Sequence, residues 1–197
     1  MSFVEVLRQI ASRLEASDIP YMVTGSIAAS YYGLARATYD LDIVISATPE
    51  KLKSLIQLLP KEDYYAVLED ALDAHRHLSM FNVLDTTRGW KIDFIFQKSA
   101  TFHQEAFRRR SQVMVEGVPT CVISGEDLII SKLEWSKMGE SERQVKDAAI
   151  VLEKRQHKLD HTYIEKWIQE LDLTAQWLQA RQLADIDRNN DRLKTNS

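Results

Sequence analysis

Thr24-Gly25-Ser26 is followed by Asp40-Leu41-Asp42 and much later by Lys91-Ile92-Asp93-Phe94, and these three segments carry the architecture of this chain. Tyr21-Met22-Val23-Thr24 is β-branched and aromatic enough to form a short strand. Gly25-Ser26 breaks it just before Ile27-Ala28-Ala29-Ser30-Tyr31-Tyr32, which reads as a helix. Glycine takes backbone conformations closed to other residues and lets the chain approach a ligand closely. With Ser26 as a cap, the free N–H groups of that helix form an anion site suited to phosphate. Gly-Ser by itself is equally an ordinary strand-to-helix turn, so the weight falls on the carboxylates that follow.

Asp40-Leu41-Asp42-Ile43-Val44-Ile45 is a strand by its apolar content. Side chains alternate faces along a strand, so Asp40 and Asp42 point one way while Leu41, Ile43 and Ile45 enter the opposite layer. Two like charges side by side repel unless a cation lies between them. Magnesium, which takes oxygen ligands and commonly uses one or two carboxylates plus substrate phosphates, suits the pair; two aspartates facing water at a strand end is the plain alternative. In Trp90-Lys91-Ile92-Asp93-Phe94-Ile95-Phe96 the apolar face is Trp90, Ile92, Phe94 and Phe96, which places Asp93 beside Lys91 and Ile95. A carboxylate among so many apolar neighbours is costly to bury without a partner. A metal would supply one, and a solvated Lys91–Asp93 pair would make it unnecessary.

These residues resemble the DNA polymerase β-like nucleotidyltransferase superfamily, whose pattern is Gly-Gly or Gly-Ser, a helix, Asp-x-Asp on a strand and a third Asp on a later strand. Within it, the run from Gly25 to Val44, with Arg36-Ala37-Thr38 between the turn and the aspartates, looks like the abortive-infection (AbiEii-type) toxin branch. The likeness is strongest over residues 20–96, and Ser26 stands where that family often has a second glycine. The resemblance implies an α+β fold: a nucleotidyltransferase-type catalytic core over residues 1–123, with a mixed sheet flanked by helices. A C-terminal helical region packed on the core would occupy residues 124–186, and a frayed tail residues 187–197. It also implies that Asp40, Asp42 and Asp93 bind two Mg2+ ions and that Gly25 and Ser26 hold the β and γ phosphates of a nucleoside triphosphate. Arg36 would assist the phosphates or anchor its loop. Lys132, in Asp-Leu-Ile-x-x-Lys-Leu, would face the nucleotide. An acceptor hydroxyl, on RNA such as a tRNA 3′ end, would attack the α-phosphorus and expel pyrophosphate, and an antitoxin protein is the implied partner. The same core serves small-molecule (aminoglycoside-type) nucleotidyl transfer or, with turnover lost, nucleotide binding alone, and fold does not choose among them.

Composition adds limits. With 197 residues, 45% of them hydrophobic, the chain has material for a proper core. The formal net charge of −4 does not describe a general nucleic-acid binder and suits a cationic small substrate. Arg108-Arg109-Arg110 could still face an RNA, although a helix end complementing the helix dipole explains it more simply. The single Cys121 excludes an internal disulfide, and Val118, Val122 and Ile123 around it indicate a buried strand residue. No apolar run is long enough for a membrane, and Glu5, Arg8, Arg13 and Glu15 interrupt any signal-peptide core, so a cytoplasmic protein is expected. A Gly-rich loop ending in Lys-Ser/Thr is missing, which disfavours an NTPase of that class.

Elsewhere, Val6-Leu7, Ile10 and Leu14 recur at helical spacing. Pro49 starts a helix that Pro60 ends. Hairpins are predicted around residues 85–89 and at Glu116-Gly117, and a helical pattern runs from Ser124 to about Ala184. Ser124 caps its first helix, where Lys132 lies amid the stripe of Leu128, Ile129 and Leu133 and could equally run its stem along apolar surface with its charge in water. Arg143 and Asp147, four apart, suggest a surface ion pair. Ile164, Trp167, Ile168, Leu171, Leu173, Trp177 and Leu178 are expected to pack the terminal helices together. His75 and His77, one residue apart, fit a strand face or a solvent-facing role.

Overall fold

Alternating burial makes the sheet. The computed structural model describes residues 3–34, 37–139 and 141–195, with side chains as far as residue 185. Asp40–Ile45 (β2) buries Leu41, Ile43 and Ile45, and Trp90–Phe96 (β5) buries Trp90, Ile92, Phe94 and Phe96. The two run parallel at the middle of a seven-stranded mixed sheet. The other strands are Tyr21–Val23 (β1), Tyr64–Tyr65 (β3), Met80–Asp85 (β4), Ser111–Val115 (β6) and Val118–Val122 (β7), in the order β3-β4-β5-β2-β1-β7-β6. β1 is antiparallel to β2 and parallel to β7.

Both predicted hairpins form. Val115 pairs with Val118 across Glu116 and Gly117, whose φ values of 47° and 79° give the twin left-handed residues that suit a two-residue hairpin turn. Asp85 pairs with Trp90, and the Asp85 carboxylate, 1% exposed, accepts the N–H groups of Thr87 and Arg88 and meets the Arg88 guanidinium at 3.0 Å. A buried charge is tolerable there because both carboxylate oxygens meet donors, one of them a guanidinium.

The sheet and the helices Phe3–Ala16 (α1), Pro49–Gln57 (α3), Leu68–His77 (α4) and Thr101–Arg109 (α5) belong to one compact unit, Met1–Ala28 and Ala37–Ile123. Val6, Leu7, Ile10 and Leu14 form the buried stripe of α1. Thr48 caps α3 and Pro49 opens it. α4 places His75 and His77 on a helix rather than a strand face, and the solvent-facing alternative holds for His77. Ala71 and Ala74 bury at helical spacing, and the acidic first turn and basic last turn match the helix dipole. His75 meets the edge of the Phe96 ring at 5.4 Å, and exposed His77 places Nδ1 3.0 Å from the Asp73 carbonyl oxygen one turn back. Cys121 is half-buried rather than buried, because it lies on the opposite face of β7 from Val118, Thr120 and Val122.

The second unit comprises Ala29–Arg36 and Ser124–Ser197. Its helices are Gly125–Gly139 (α6), Glu142–Arg155 (α7), His161–Glu170 (α8) and Thr174–Thr195 (α9). Ser124 starts α6: its hydroxyl accepts the Asp127 N–H at 3.1 Å and donates to the Asp127 carboxylate, which also accepts the Tyr163 hydroxyl at 2.7 Å. Ile164, Trp167, Ile168, Leu173 and Trp177 are buried as expected, whereas Leu178 is exposed and Leu171 only half-buried. Trp177 and Ala180 take the inward positions of α9, which turns the intervening Leu178 to solvent. The backbone of α9 stays helical to Thr195, beyond the apolar pattern that ends near Ala184, since extending an existing helix costs far less than nucleating one. Among the described residues no helix is long and apolar enough to cross a membrane.

Candidate active site

Register assembles a polar face on the otherwise apolar sheet. Parallel pairing sets Asp42 beside Asp93 and Asp40 beside Lys91, and the β4–β5 ladder adds Asn82 next to Asp93 and Leu84 next to Lys91. Paired strand residues share a face, so one row reads Asn82, Asp93, Asp42 and the next Leu84, Lys91, Asp40. Asp40 is exposed, Asp42 half-buried and Asp93 buried.

The partner that buried Asp93 needs is already present. Lys91 Nζ lies 2.8 Å from Asp93 Oδ2, and the Asn82 amide donates to Oδ1. The Asp93 hydrogen bond, and then the charges of Asp93, Asp40 and Asp42, hold the Lys91 ammonium above the ordinary lysine value. The Lys91–Asp93 pair expected as the alternative to a metal is present, but on a buried carboxylate rather than a solvated one. The sequence reading misses Asn82. Its signal was the predicted hairpin: with Asp85 opposite Trp90, antiparallel counting brings residue 82 to residue 93.

Gly25 has a specific reason to be glycine. Its φ is +62°, and a Cβ built there would stand 1.9 Å from Asp42 Oδ2. The neighbouring Thr24 N–H donates to the Asp42 carbonyl oxygen at 2.9 Å. What the bare backbone approaches closely is thus the Asp42 carboxylate, which joins the turn to the Asp-x-Asp strand. Ser26 follows, half-buried, in the seven-residue helix Gly25–Tyr31 (α2). Thr38 Oγ1 accepts the Asp40 N–H at 3.1 Å and so fixes the start of β2. Arg36 lies outside the described residues.

Lys132 belongs to the second unit and is 4% exposed; its ammonium is 2.9 Å from Asp147 Oδ2 and 3.2 Å from Gln144 Oε1. The surface pair expected between Arg143 and Asp147 is replaced by this buried one. Asp147 falls on the inward stripe of α7 with Ala148 and Val151, while Arg143 stays exposed. For Lys132 to meet a phosphate, its ammonium would first have to leave Asp147.

A cavity of about 480 Å3 opens beside the polar face, lined by Tyr65, Asp70, Asp73, Met80, Asn82 and Lys91 among others. Arg108 pairs with Glu105 at 2.7 Å, and the Arg110 guanidinium stacks 4.1 Å from the centre of the Phe107 ring, as local helix-end contacts would. The chemistry of the donor set suits magnesium: Asp40 and Asp42 offer hard oxygens from one strand face, with Asp93 next in register. Asp93 is engaged elsewhere, and among the described residues no three His, Cys, Asp or Glu side chains stand close enough together to hold a metal ion.

No protein-family model and no curated protein matches the sequence. Among solved structures, an antigenic nucleotidyltransferase-like protein from Paracoccidioides brasiliensis superposes with a TM-score of 0.53 at 14% identity, over 87% of this chain and 90% of that one. ANT(2″)-Ia, solved in complex with adenylyl-2″-tobramycin, superposes with a TM-score of 0.56 at 12% identity, over 86% and 96% of the two chains. The likeness extends over most of both molecules in each comparison, and the α+β fold of this chain is the fold of these nucleotidyltransferase and nucleotidyltransferase-like structures.

Proposed function

We propose that this chain is a metal-dependent nucleotidyltransferase that moves a nucleoside monophosphate from a nucleoside triphosphate to an acceptor hydroxyl. One observation carries the reading: Asp40 and Asp42 share a face of β2, Asp93 stands beside Asp42 in register, and Gly25 presses its backbone against the Asp42 carboxylate. Asp40 and Asp42 would hold the magnesium that accompanies the triphosphate, and the Gly25-Ser26 turn would take its phosphates. Chemistry supplied by bound magnesium would be charge neutralisation on the triphosphate and a more acidic acceptor hydroxyl. Asp93 would orient that hydroxyl and receive its proton or help hold a second ion. Arg36 is a further nucleotide contact in this proposal, and Lys132 would become one only by giving up Asp147; replacement of each with alanine tests the role.

For the acceptor, the toxin-like resemblance of residues 25–44 supports RNA, with a tRNA end as one candidate, a cytoplasmic setting and an antitoxin partner. A second reading, a small amine-bearing acceptor, is supported by the cavity beside Asp93, where Asp70 would attract an ammonium group while Asp73 is already paired with Arg76 at 2.8 Å. ANT(2″)-Ia, with its adenylyl-tobramycin, represents that chemistry on the same fold. Incubation of the purified protein with each labelled nucleoside triphosphate and magnesium, beside total RNA or a panel of aminoglycosides, separates the readings. Label on RNA supports the first and label on the small molecule the second. Nucleotide binding without transfer to anything leaves a binding module.

A further inference from the structure

We propose that Lys91 is a resident counter-ion of the carboxylate face, which a divalent cation must displace to reach Asp93. The inference rests on the nucleotidyl-transfer reading only in expecting such a cation there. Lys91 and Asp93 are two apart on β5 and share its polar face, with Nζ 2.8 Å from Oδ2. Asn82 occupies the other oxygen, and Asp93 as a residue is 6% exposed. A cation seeking Asp93 therefore finds one oxygen taken by an ammonium and the other by an amide. The same lysine stands in register with Asp40, diagonally from Asp42, so one flexible side chain offsets the charge of the carboxylates assigned to metal.

Displacement also has somewhere to send the ammonium. The Lys91 side chain is 42% exposed and lines the cavity of about 480 Å3 beside Tyr65, Asp70 and Leu84. A lysine on a four-carbon stem can swing there without moving the strand, and a pair exposed on one side yields more readily than a sealed one. Asn82, with a shorter side chain, would remain with Asp93. The site would then be stable without metal, and its affinity for the cation at Asp93 would be reduced by the lysine already bound.

Manganese, counted by electron paramagnetic resonance in the presence of a non-hydrolysable nucleoside triphosphate, is the probe. Lys91→Met should bind Mn2+ at least tenfold more tightly than the wild type, and the gain should vanish in Lys91→Met/Asp93→Asn. Equal affinity of Lys91→Met and wild type overturns the proposal and leaves the nucleotidyl-transfer reading standing. A gain that survives Asp93→Asn overturns it as well, since it would reflect only the loss of a nearby positive charge. Mn2+ bound by neither protein overturns both readings. On the unmodified protein, the Lys91 ammonium signal in a lysine-labelled nitrogen NMR spectrum should move when Mg2+ and nucleotide are added. That measurement decides the question if Lys91→Met does not fold, and an unmoved signal at saturating Mg2+ overturns the proposal.

Discussion

Two lysine–aspartate pairs, one in each unit, have nearly the same length and opposite surroundings. Lys91–Asp93 closes at 2.8 Å on the open face of the sheet, and Lys132–Asp147 closes at 2.9 Å between α6 and α7. The Lys91 side chain is 42% exposed, whereas the side chains of Lys132 and Asp147 are 5% and 8% exposed. In the first pair, water stands ready to solvate the lysine if it leaves. In the second, parting strands both charges in an apolar interior, where an unpaired ion is heavily penalised. Burial, not bond length, separates a pair that can exchange partners from one that locks two helices together.

Breaking the sealed pair should have the largest effect on stability. Asp147→Ala leaves the buried Lys132 ammonium without its counter-charge and with only the neutral Gln144 amide oxygen to meet it, and denaturant unfolding should show a loss of about 3–5 kcal/mol. A loss well under 1 kcal/mol would mean that the helical pair breathes into solvent as readily as the sheet pair. On the sheet, Asp93→Asn should instead act on chemistry. Single-turnover transfer should fall a hundredfold or more, about 2.7 kcal/mol, while calorimetry should find magnesium-nucleotide affinity within roughly tenfold of wild type, about 1.4 kcal/mol. Surviving transfer would send the search for the third carboxylate to Glu69, Asp70 and Asp73, of which Asp70 and Asp73 already line the cavity.

Gly25→Ala comes next. It places a Cβ in the Asp42 carboxylate at a φ of +62°, so unfolding should show a cost of about 1–3 kcal/mol and nucleotide affinity should drop with it. Unchanged affinity in the folded variant would show that the triphosphate binds away from this turn. Replacing both members of the sealed pair, Lys132→Met with Asp147→Leu, should restore stability to within about 1 kcal/mol of wild type, because apolar packing substitutes for a buried ion pair. Continued instability there would mean that Gln144, left without the ammonium, matters as much as the charges do.

The smallest effect is alkaline. The Lys91 value is raised by its carboxylates, so the stability it contributes is fully present below the ordinary lysine value of 10.5 and is lost as pH climbs through the raised one. The difference in urea midpoint between wild type and Lys91→Met should therefore hold steady up to the ordinary lysine value of 10.5 and shrink as pH rises above it. A difference still constant there would mean that Lys91 contributes through its stem rather than its charge.

Local chemistry made much of this legible in the sequence. Alternation gave β2 and β5 with the correct faces, and Glu116-Gly117 announced its hairpin through the two left-handed residues such a turn needs. α4 is not legible from the sequence because its buried stripe is only Ala71 and Ala74, too weak an apolar signal to announce a helix. Asp147 was misassigned because the four-residue spacing to Arg143 describes any helix face, whereas its true partner lies fifteen residues back on another helix. Such a contact depends on how α6 and α7 rotate against each other, which no spacing rule supplies.

Sequence alone settles which residues share a strand face, where the turns fall and that the three carboxylates stand on strands, since side-chain period and turn conformation are set by neighbours along the chain. Only the tertiary structure decided what each charged group meets. Strand register brought Asn82 and Asp42 to either side of Asp93, the left-handed Gly25 backbone met the Asp42 carboxylate, and helix packing buried Lys132 against Asp147. Those encounters join residues far apart in sequence, and their energies turn on desolvation, a property of position in the fold rather than of residue type.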